Sequence, residues 1–520
     1  MPQDSGAGHR VRILRSNQSS RGRLLRSPAW AALLGGGLAL RLIAIDSRGL
    51  WGDEAWRVWA ARLPSMSDVL HVAWAQPPSA PLYWLGLHLW IAAFGHGDIA
   101  VRLFSVLPSV ACIAAIYWLG LRLGGTCAGW IAAVLLAVSP MAVEVGQEAT
   151  MYAWSMLAAT MTLAAGVSWL QTGDGRARYV AFGAILLYLH YLGPLVLAWF
   201  FLAGLLAVRN PDRIGIIPAV RLRAWLGGHV LLAVIWLPWA VPMLLRIAER
   251  WPELRQLRHA VSLAELHAVA GHLAFSASPQ AFWPPLWSAA ALGGCGTVLV
   301  WSLWRNPRPA AAWLCLFIGL GTIGTLLGVS AVTGAWLFQP RFLALSLPLV
   351  LCALALGMAP HLAGLGKHTV AAGLAAVWIC VQAAGLLAFY ERPVHGRDGL
   401  REIGAWLTRN VMPTDVVVGN HPYLLWSVAQ YFPGKLHGLP SDWDVRWGYP
   451  LLPPSRPAWV ASQLAVLPEI AGQAPRLWLI YLPVADPEGK LLTSIQRTYR
   501  LVTSQDYPLV GIYLFARKMP

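Results

Sequence analysis

Charge is scarce in this chain, and negative charge is scarcest. Of 520 residues only 12% are Asp, Glu, Lys or Arg, with 23 acids against 39 bases. A soluble globular domain carries about twice that charged fraction, so the chain as a whole is not built to face water. The six cysteines (Cys112, Cys127, Cys295, Cys315, Cys352 and Cys380) fall in apolar segments and show no CxxC spacing. Neither a disulfide framework nor a zinc site is therefore expected. No repeat of 20 to 50 residues is visible, which excludes a solenoid, and there is no low-complexity tract. The net charge of +16 comes almost wholly from Arg, much of it in the N-terminal stretch (Arg10, Arg12, Arg15, Arg21, Arg23, Arg26) and in connections such as "RNPDRIGIIPAVRLR". Short cytoplasmic segments of membrane proteins carry such an excess, so the charge reports orientation and no nucleic-acid partner is expected.

What is present is apolar sequence. The chain is 57% hydrophobic, and its mean hydropathy is +0.55. A bilayer core needs about 20 apolar residues per helix, and about eleven stretches between Trp30 and Tyr390 qualify. Residues 1–27 read as a basic cytoplasmic tail. The stretch Ser27 to Ile45 has the charged entry of a signal peptide without a small-residue cleavage site, and it reads as an uncleaved first helix that delivers Asp53 and Glu54 to the outer face. A first extracytoplasmic loop, 47–98, follows with juxtamembrane helices. In it "APLYWLGLHLWIAAFG" nearly suffices to span, yet its Pro-rich approach "QPPSAP" suits a surface-lying segment. If it does not cross, Arg122, Arg176, Arg178, the arginines from Arg209 to Arg223, Arg305, Arg308 and Lys367 all face the cytoplasm. Arg246, Arg250, Arg255 and Arg258 then lie outside, against the positive-inside rule that favours this arrangement. Further spans are expected near Ile99–Leu121, Cys127–Val143, Thr150–Leu170, Tyr179–Tyr191, Pro194–Val208, Ala224–Leu245, Phe282–Trp304, Ala310–Val329, Phe342–Pro360 and Thr369–Phe389. The transmembrane domain thus covers 28–390. From 391 to 520 the pattern changes to a helix-like "DGLREIGAWLTRN" followed by "DVVVGN", "RLWLIYLP" and the alternating "PLVGIYLFAR". This is a small extracytoplasmic α/β domain.

Chemistry points to the outer boundary. In "LWGDEAWRVWAAR" the acids Asp53 and Glu54 precede a helical pattern that sets Trp56, Trp59 and Leu63 along the membrane plane, with Arg57 and Arg62 turned to water or headgroups. The structural account is that Asp53 caps that helix and Glu54 pairs with Arg57 at i, i+3. A second acidic site, "EVGQEATMYAW", brings Glu144 to the outer end of the third helix and Glu148 to the start of the fourth. Acids kept at the hydrocarbon edge are costly and usually functional. The same boundary collects Arg41, His190 and Tyr191 in "YLHYLG", and Arg341 in "FQPRF". Singly, these arginines read as snorkelling groups and the histidine as a satisfied interfacial residue. Together they suit group transfer from a phosphate-bearing lipid: a carboxylate takes a proton from an acceptor, and arginines hold a phosphate. Indole faces stack on sugars, but most of the 29 tryptophans fit an interfacial belt.

The segments "SRGLWGDEAWRVWAARL", "QPPSAPLYWLGLHLWIAAFG", "IAVRLFSVLPSV", "VSPMAVEVGQEATMYAWSML", "YLHYLG" and "QPRFLALSLPLVL" run in an order that resembles bacterial membrane glycosyltransferases of the GT-C superfamily. The group is similar to protein mannosyltransferases and aminoarabinose transferase. The resemblance covers roughly Arg41 to Gly357. It implies an all-α polytopic GT-C membrane domain, with about eleven transmembrane helices and surface-lying helices in the first outer loop, followed by the small C-terminal α/β domain. It implies a polyprenyl-phosphate-linked sugar donor, an acceptor that is lipid, glycan or protein, and an inverting single displacement at the outer face of a bacterial inner membrane. The N-terminus is then cytoplasmic and the C-terminal domain periplasmic. Carried over, Asp53 is the general base, and Glu54, Glu148 and Glu144 are supporting acids. Arg341 and Arg41 hold the donor phosphate, and His190, Tyr191, Gln147, Tyr152, Gln76 and Tyr83 line the pocket. No cofactor is required, no metal ligand set is visible, and a divalent ion is optional. The chain departs from the family at Gln76-Pro77-Pro78-Ser79, where His-Pro-Pro-Leu is common. Two other classes remain: a transporter or flippase for lipid-linked sugar, whose ionisable groups belong at mid-membrane depth, and a non-catalytic envelope assembly protein.

Overall fold

The computed structural model describes residues 27–75, 79–209, 219–249, 309–334, 337–363, 368–391, 399–439, 456–507 and 509–518, with isolated positions between 261 and 300. Residues 1–26 of the basic tail, Gln76 and the span expected at Phe282–Trp304 lie outside the described residues, Val300 excepted.

Helix α1, Pro28–Leu42, opens where Ser27 accepts a hydrogen bond from the Trp30 N–H at 3.2 Å and Pro28 occupies the first turn, a position that needs no donor. Three short helices follow in the first loop: α2 (Gly52–Ala61), α3 (Met66–Ala75) and α4 (Pro81–Phe94). Helix α4 is the ambiguous apolar run. Its 14 residues reach about 21 Å, less than the roughly 30 Å of a bilayer core.

The next element, α5, runs over Asp98–Ala137 for 40 residues and is broken at Gly125, where φ is 85°. Only glycine adopts that conformation without strain. The break turns one overlong rod into two helices that pack closely, matching the two spans expected there. A Cβ on Gly129 would lie 2.8 Å from the Tyr117 carbonyl oxygen, and one on Gly120 would lie 3.0 Å from the Ala128 carbonyl oxygen. The second span ends earlier than expected, because Pro140 starts a separate helix α6, Pro140–Gly146. Then come α7 (Tyr152–Thr172), α8 (Arg176–Leu189), α9 (Gly193–Arg209), α10 (Leu222–Glu249) and α11 (Pro309–Thr333). Arg341 does not open a long helix as expected. It lies in a 3-10 segment, Pro340–Leu345, ahead of α12 (Leu347–Ala363) and α13 (His368–Glu391).

Among the described residues four helices, α5, α7, α10 and α11, are long and apolar enough to cross a membrane, and several shorter apolar helices accompany them. Helix α10 shows what surrounds the bundle. Val230, Val234, Leu237, Val241 and Leu244 lie along it and are each about half exposed, an apolar stripe that water would not tolerate and lipid does.

The C-terminal domain holds α14 (Leu400–Asn410), β1 (Val416–Gly419), α15 (Pro422–Ala429), β2 (His437–Gly438), α16 (Arg456–Ala471), β3 (Arg476–Tyr481), α17 (Lys490–Thr498), β4 (Tyr499–Asp506) and β5 (Gly511–Arg517). The sheet order is β2-β1-β3-β5-β4. Strand β1 is parallel to β2 and β3, and β5 is antiparallel to β3 and β4. Strand β3 is apolar on both faces because both are covered: Trp478 and Ile480 pack with Leu400 and Ile403 of α14, while Leu477 and Leu479 pack with Leu491 and Ile495 of α17.

The hairpin contact in α5 is testable. Gly129→Val puts a branched side chain against the Tyr117 carbonyl, and a large loss of monodisperse protein in detergent size-exclusion chromatography is expected. Gly35→Val, where nothing lies within 4 Å of the added carbon, should purify like wild type.

A candidate active site at the first loop

The two adjacent acids of α2 have different fates. Successive helical residues are rotated by about 100°, so Glu54 enters the protein while Asp53 stays at its edge. Glu54 is fully buried and does not pair with Arg57. Its partner is Arg102 of α5, which donates to Oε1 at 3.0 Å and to Oε2 at 2.8 Å. The Ala149 N–H donates to Oε1 at 2.8 Å and the Trp51 N–H to Oε2 at 3.3 Å. Burial would raise the Glu54 carboxyl, but the charge and hydrogen bonds of Arg102 hold it below its ordinary value. Glu54 thus stitches α2, α5 and the α6–α7 connection together, a positioning task that differs from the supporting acid expected of it.

Asp53 is not the helix cap either; Trp51 holds that position. The Asp53 carboxylate, 15% exposed, forms an ion pair with Arg341. Arg57 is not turned to water. It donates to the Asp53 carbonyl oxygen at 2.6 Å and stands 3.8 Å from the carboxylate. Arg341 is steadied by Gln339, which accepts from its Nε at 2.9 Å, and by the rings of Trp51 and Phe342 at 5.6 and 5.7 Å. Trp56 is buried, stacked on Trp59 at 5.0 Å and set against Trp84 and Trp426 at 6.0 and 4.6 Å.

Glu144 and Glu148 are both buried, on α6 and just beyond it. Burial, then Glu144 and Glu54, raise the Glu148 carboxyl to about 8, against the opposing charges of Arg48 and Arg341. Gln147 is also buried, and its amide donates to the Arg41 and Ile43 carbonyl oxygens at 3.1 and 2.7 Å. Arg41 does not snorkel. It is fully buried and donates to Ser109 Oγ at 2.6 Å and to the carbonyl oxygens of Gly37, Ala137 and Leu136. Those bonds fix α1 against α5 and leave the guanidinium committed away from any phosphate.

An aromatic wall completes the site. His190 stacks on Tyr191 at 4.8 Å and meets Tyr152 at 5.6 Å, with Phe342 at 6.1 Å from both His190 and Tyr152. The His190 Nδ1 accepts from the Leu192 N–H at 3.1 Å, which leaves the ring proton on Nε2. That nitrogen is buried without a hydrogen-bond partner among the described residues. Tyr83 is buried against Phe104, at 5.6 Å between rings.

Sequence reasoning missed two groups. Arg102 belongs to a span-length helix, and a buried cation there requires a partner acid; only that rule signalled it. Arg48 is buried over the Phe389 ring at 5.3 Å, with one Nη atom unpartnered among the described residues. Among the described residues no three His, Cys, Asp or Glu side chains gather to hold a metal ion. Asp53 and Glu54 are committed to guanidinium groups, so the donor set does not fit one.

The Glu148 environment sets a pH dependence. Its folded pKa is raised, so between the unfolded value near 4.5 and about 8 the folded state holds a proton that the unfolded state has lost. Stability therefore falls as pH rises through that window. Glu148→Gln, which mimics the protonated acid, should flatten the decline of the unfolding midpoint measured in detergent between pH 5 and 8.

No protein-family model matches the chain, and no curated protein matches it in sequence. Solved structures do. The apo form of ArnT from Cupriavidus metallidurans superposes with a TM-score of 0.58 at 12% identity, over 94% of this chain and 98% of that one. The same enzyme bound to undecaprenyl phosphate gives 0.59 at 13% identity with the same coverage. The oligosaccharyltransferase of Archaeoglobus fulgidus, in complex with Zn and sulfate, gives 0.50 at 13% identity, over 93% of this chain and 73% of that one. At such low identity the likeness is one of fold. It extends over nearly the whole chain, which has the GT-C fold of these structures.

Proposed function

We propose that the chain is a glycosyltransferase that moves a sugar from a polyprenyl-phosphate carrier to an acceptor at the periplasmic face of a bacterial inner membrane. The observation that carries this reading is the pairing of Asp53 with Arg341, with Arg57 3.8 Å from the same carboxylate and the buried His190 Nε2 without a hydrogen-bond partner among the described residues. The undecaprenyl phosphate bound by ArnT supports the carrier class. The N-terminus is placed in the cytoplasm and the C-terminal domain in the periplasm on the charge argument.

The reaction is an inverting single displacement. The Asp53 carboxylate takes the acceptor hydroxyl proton as the acceptor oxygen bonds to the anomeric carbon. The bond from that carbon to the phosphate oxygen breaks, and the carrier leaves as polyprenyl phosphate with the electron pair. Arg341 and Arg57 neutralise the charge that develops there. Before donor binding, Arg341 holds the Asp53 carboxylate, and a carboxylate so paired is a poor base. A donor phosphate competes for Arg341, which frees Asp53 when there is something to react with. Tyr152, Tyr191 and His190 offer ring faces and a donor for the sugar. Glu148, protonated at neutral pH, offers an O–H. No step is routed through a metal ion.

Asp53→Asn should lower transfer from labelled polyprenyl-phosphate sugar by about 10²- to 10⁴-fold in a membrane assay while expression holds. Retained turnover would remove this mechanism. The same assay on Arg341→Gln should show a raised donor KM, so that the rate saturates only at higher donor concentration.

A further inference from the structure

The C-terminal domain reaches into the loop that carries Asp53. Arg401 of α14 donates to the Asp46 carbonyl oxygen at 3.0 Å, to the Asp46 carboxylate at 2.9 Å and to the Arg48 carbonyl oxygen at 2.8 Å, and it pairs with Asp98. Tyr431, just past α15, donates its hydroxyl to Asp98 at 2.7 Å and accepts from the Leu50 N–H at 2.6 Å. The fit is close. A Cβ on Gly49 would lie 3.0 Å from Arg401 Cβ and 3.3 Å from the Tyr431 hydroxyl. Next to these contacts, Gln430 accepts from Arg62 at 3.3 Å and donates to the His96 carbonyl oxygen at 2.8 Å, and Trp426 meets Trp56.

The same short segment is gripped from its other side. Arg102 donates to the carbonyl oxygens of Ile45, Arg48 and Gly49 at 2.8, 2.9 and 2.8 Å while holding Glu54. Residues 45–50 are thus clamped between a membrane helix and the C-terminal domain, three residues before Asp53. The Arg48 carbonyl accepts from both Arg102 and Arg401.

We propose that Arg401 and Tyr431 are positioning residues of the active site: the C-terminal domain sets the register of the 46–50 segment and thereby the place of Asp53 against Arg341. The kinetic part of this inference rests on the glycosyltransferase reading; the structural part does not. Both residues line a pocket with Asp46 and Asp98, and their hydrogen bonds go to Asp46, Arg48, Leu50 and Asp98, so they act through the loop. Small misplacements of a reacting group cost about 10²-fold in rate, so a domain that holds the loop still controls turnover without contributing a reacting atom.

The test uses the full chain in nanodiscs, with Arg401→Ala, Arg401→Lys, Tyr431→Phe and, as a control on the exposed side of α14, Arg409→Ala. Two readouts are taken: amide hydrogen exchange over 46–57, and the kcat and donor KM of transfer. Arg401→Ala should speed exchange in that segment, lower kcat about tenfold or more and change KM less than kcat. Arg401→Lys should recover part of both effects, and Tyr431→Phe, which removes one hydroxyl, should give a smaller shift in the same direction. Arg409→Ala should match wild type. Wild-type exchange over 46–57 in both Arg401→Ala and Tyr431→Phe would overturn the proposal, as would an equal rise in exchange across the whole domain. If exchange responds as expected but wild type itself transfers no sugar, the clamp stands and the enzymatic reading falls.

Discussion

The buried ion pair between Glu54 and Arg102 is the interaction on which the site depends. Taking both charges out of lipid and water is expensive, and such a pair holds only when every polar atom is satisfied. Here it is. A guanidinium has five N–H groups, and Arg102 places them on Glu54 twice and on the carbonyl oxygens of Ile45, Arg48 and Gly49. Glu54 in turn accepts from Arg102, Trp51 and Ala149. Removing either partner would strand an uncompensated charge at a cost of about 3–5 kcal/mol. The pair therefore fixes which elements meet: the start of α2, the outer end of α5 and the connection that carries Glu148.

That constraint explains why two adjacent acids do different work. With Glu54 locked inward, helix geometry sends Asp53 to a partly exposed position, where Arg341 and Arg57 meet it. The same lock anchors the Ala149 backbone, and so brings the α6–α7 connection with Glu148 within electrostatic reach of Arg48 and Arg341. Specificity of arrangement, more than stability, is what the buried pair supplies.

The fold was largely legible because its causes are local. Apolar length marks a span, including the two that meet at the break in α5. Alternation marks β5, and the apolar run of β3 marks a strand covered on both faces. Strand β4, exposed along nearly all its length, carries no such pattern and went unread, as did the two-residue β2. In the site, the acids and Arg341 were legible as charges placed where charge is costly. Their partners were not, because pairing is three-dimensional. An i, i+3 rule assigned Arg57 to Glu54, whereas the nearer carboxylate is Asp53 and Glu54 is claimed from 48 residues away. Arg41 was misread for the same reason: a cation near a helix end snorkels unless a neighbouring helix offers carbonyl oxygens, and α5 offers Leu136 and Ala137.

The charge balance around Asp53 and Glu148 bears on the proposed donor. Arg57 and Arg341 stand at Asp53, and Arg48 and Arg341 act on Glu148, while Arg102 is cancelled by Glu54. Burial and the neighbouring acids Glu144 and Glu54 raise the Glu148 carboxyl, which favours its neutral form and leaves less negative charge to balance these cations. Arg48 and Arg57 each keep a buried N–H without a partner among the described residues. Unsatisfied buried donors beside positive charge are costly to maintain, and the phosphodiester of the proposed donor, which gains a second negative charge as the carrier leaves, answers both deficits. A transporter needs such groups along a path through the membrane. In this chain Arg57 and Arg341 meet at Asp53, the arrangement that the proposed displacement uses.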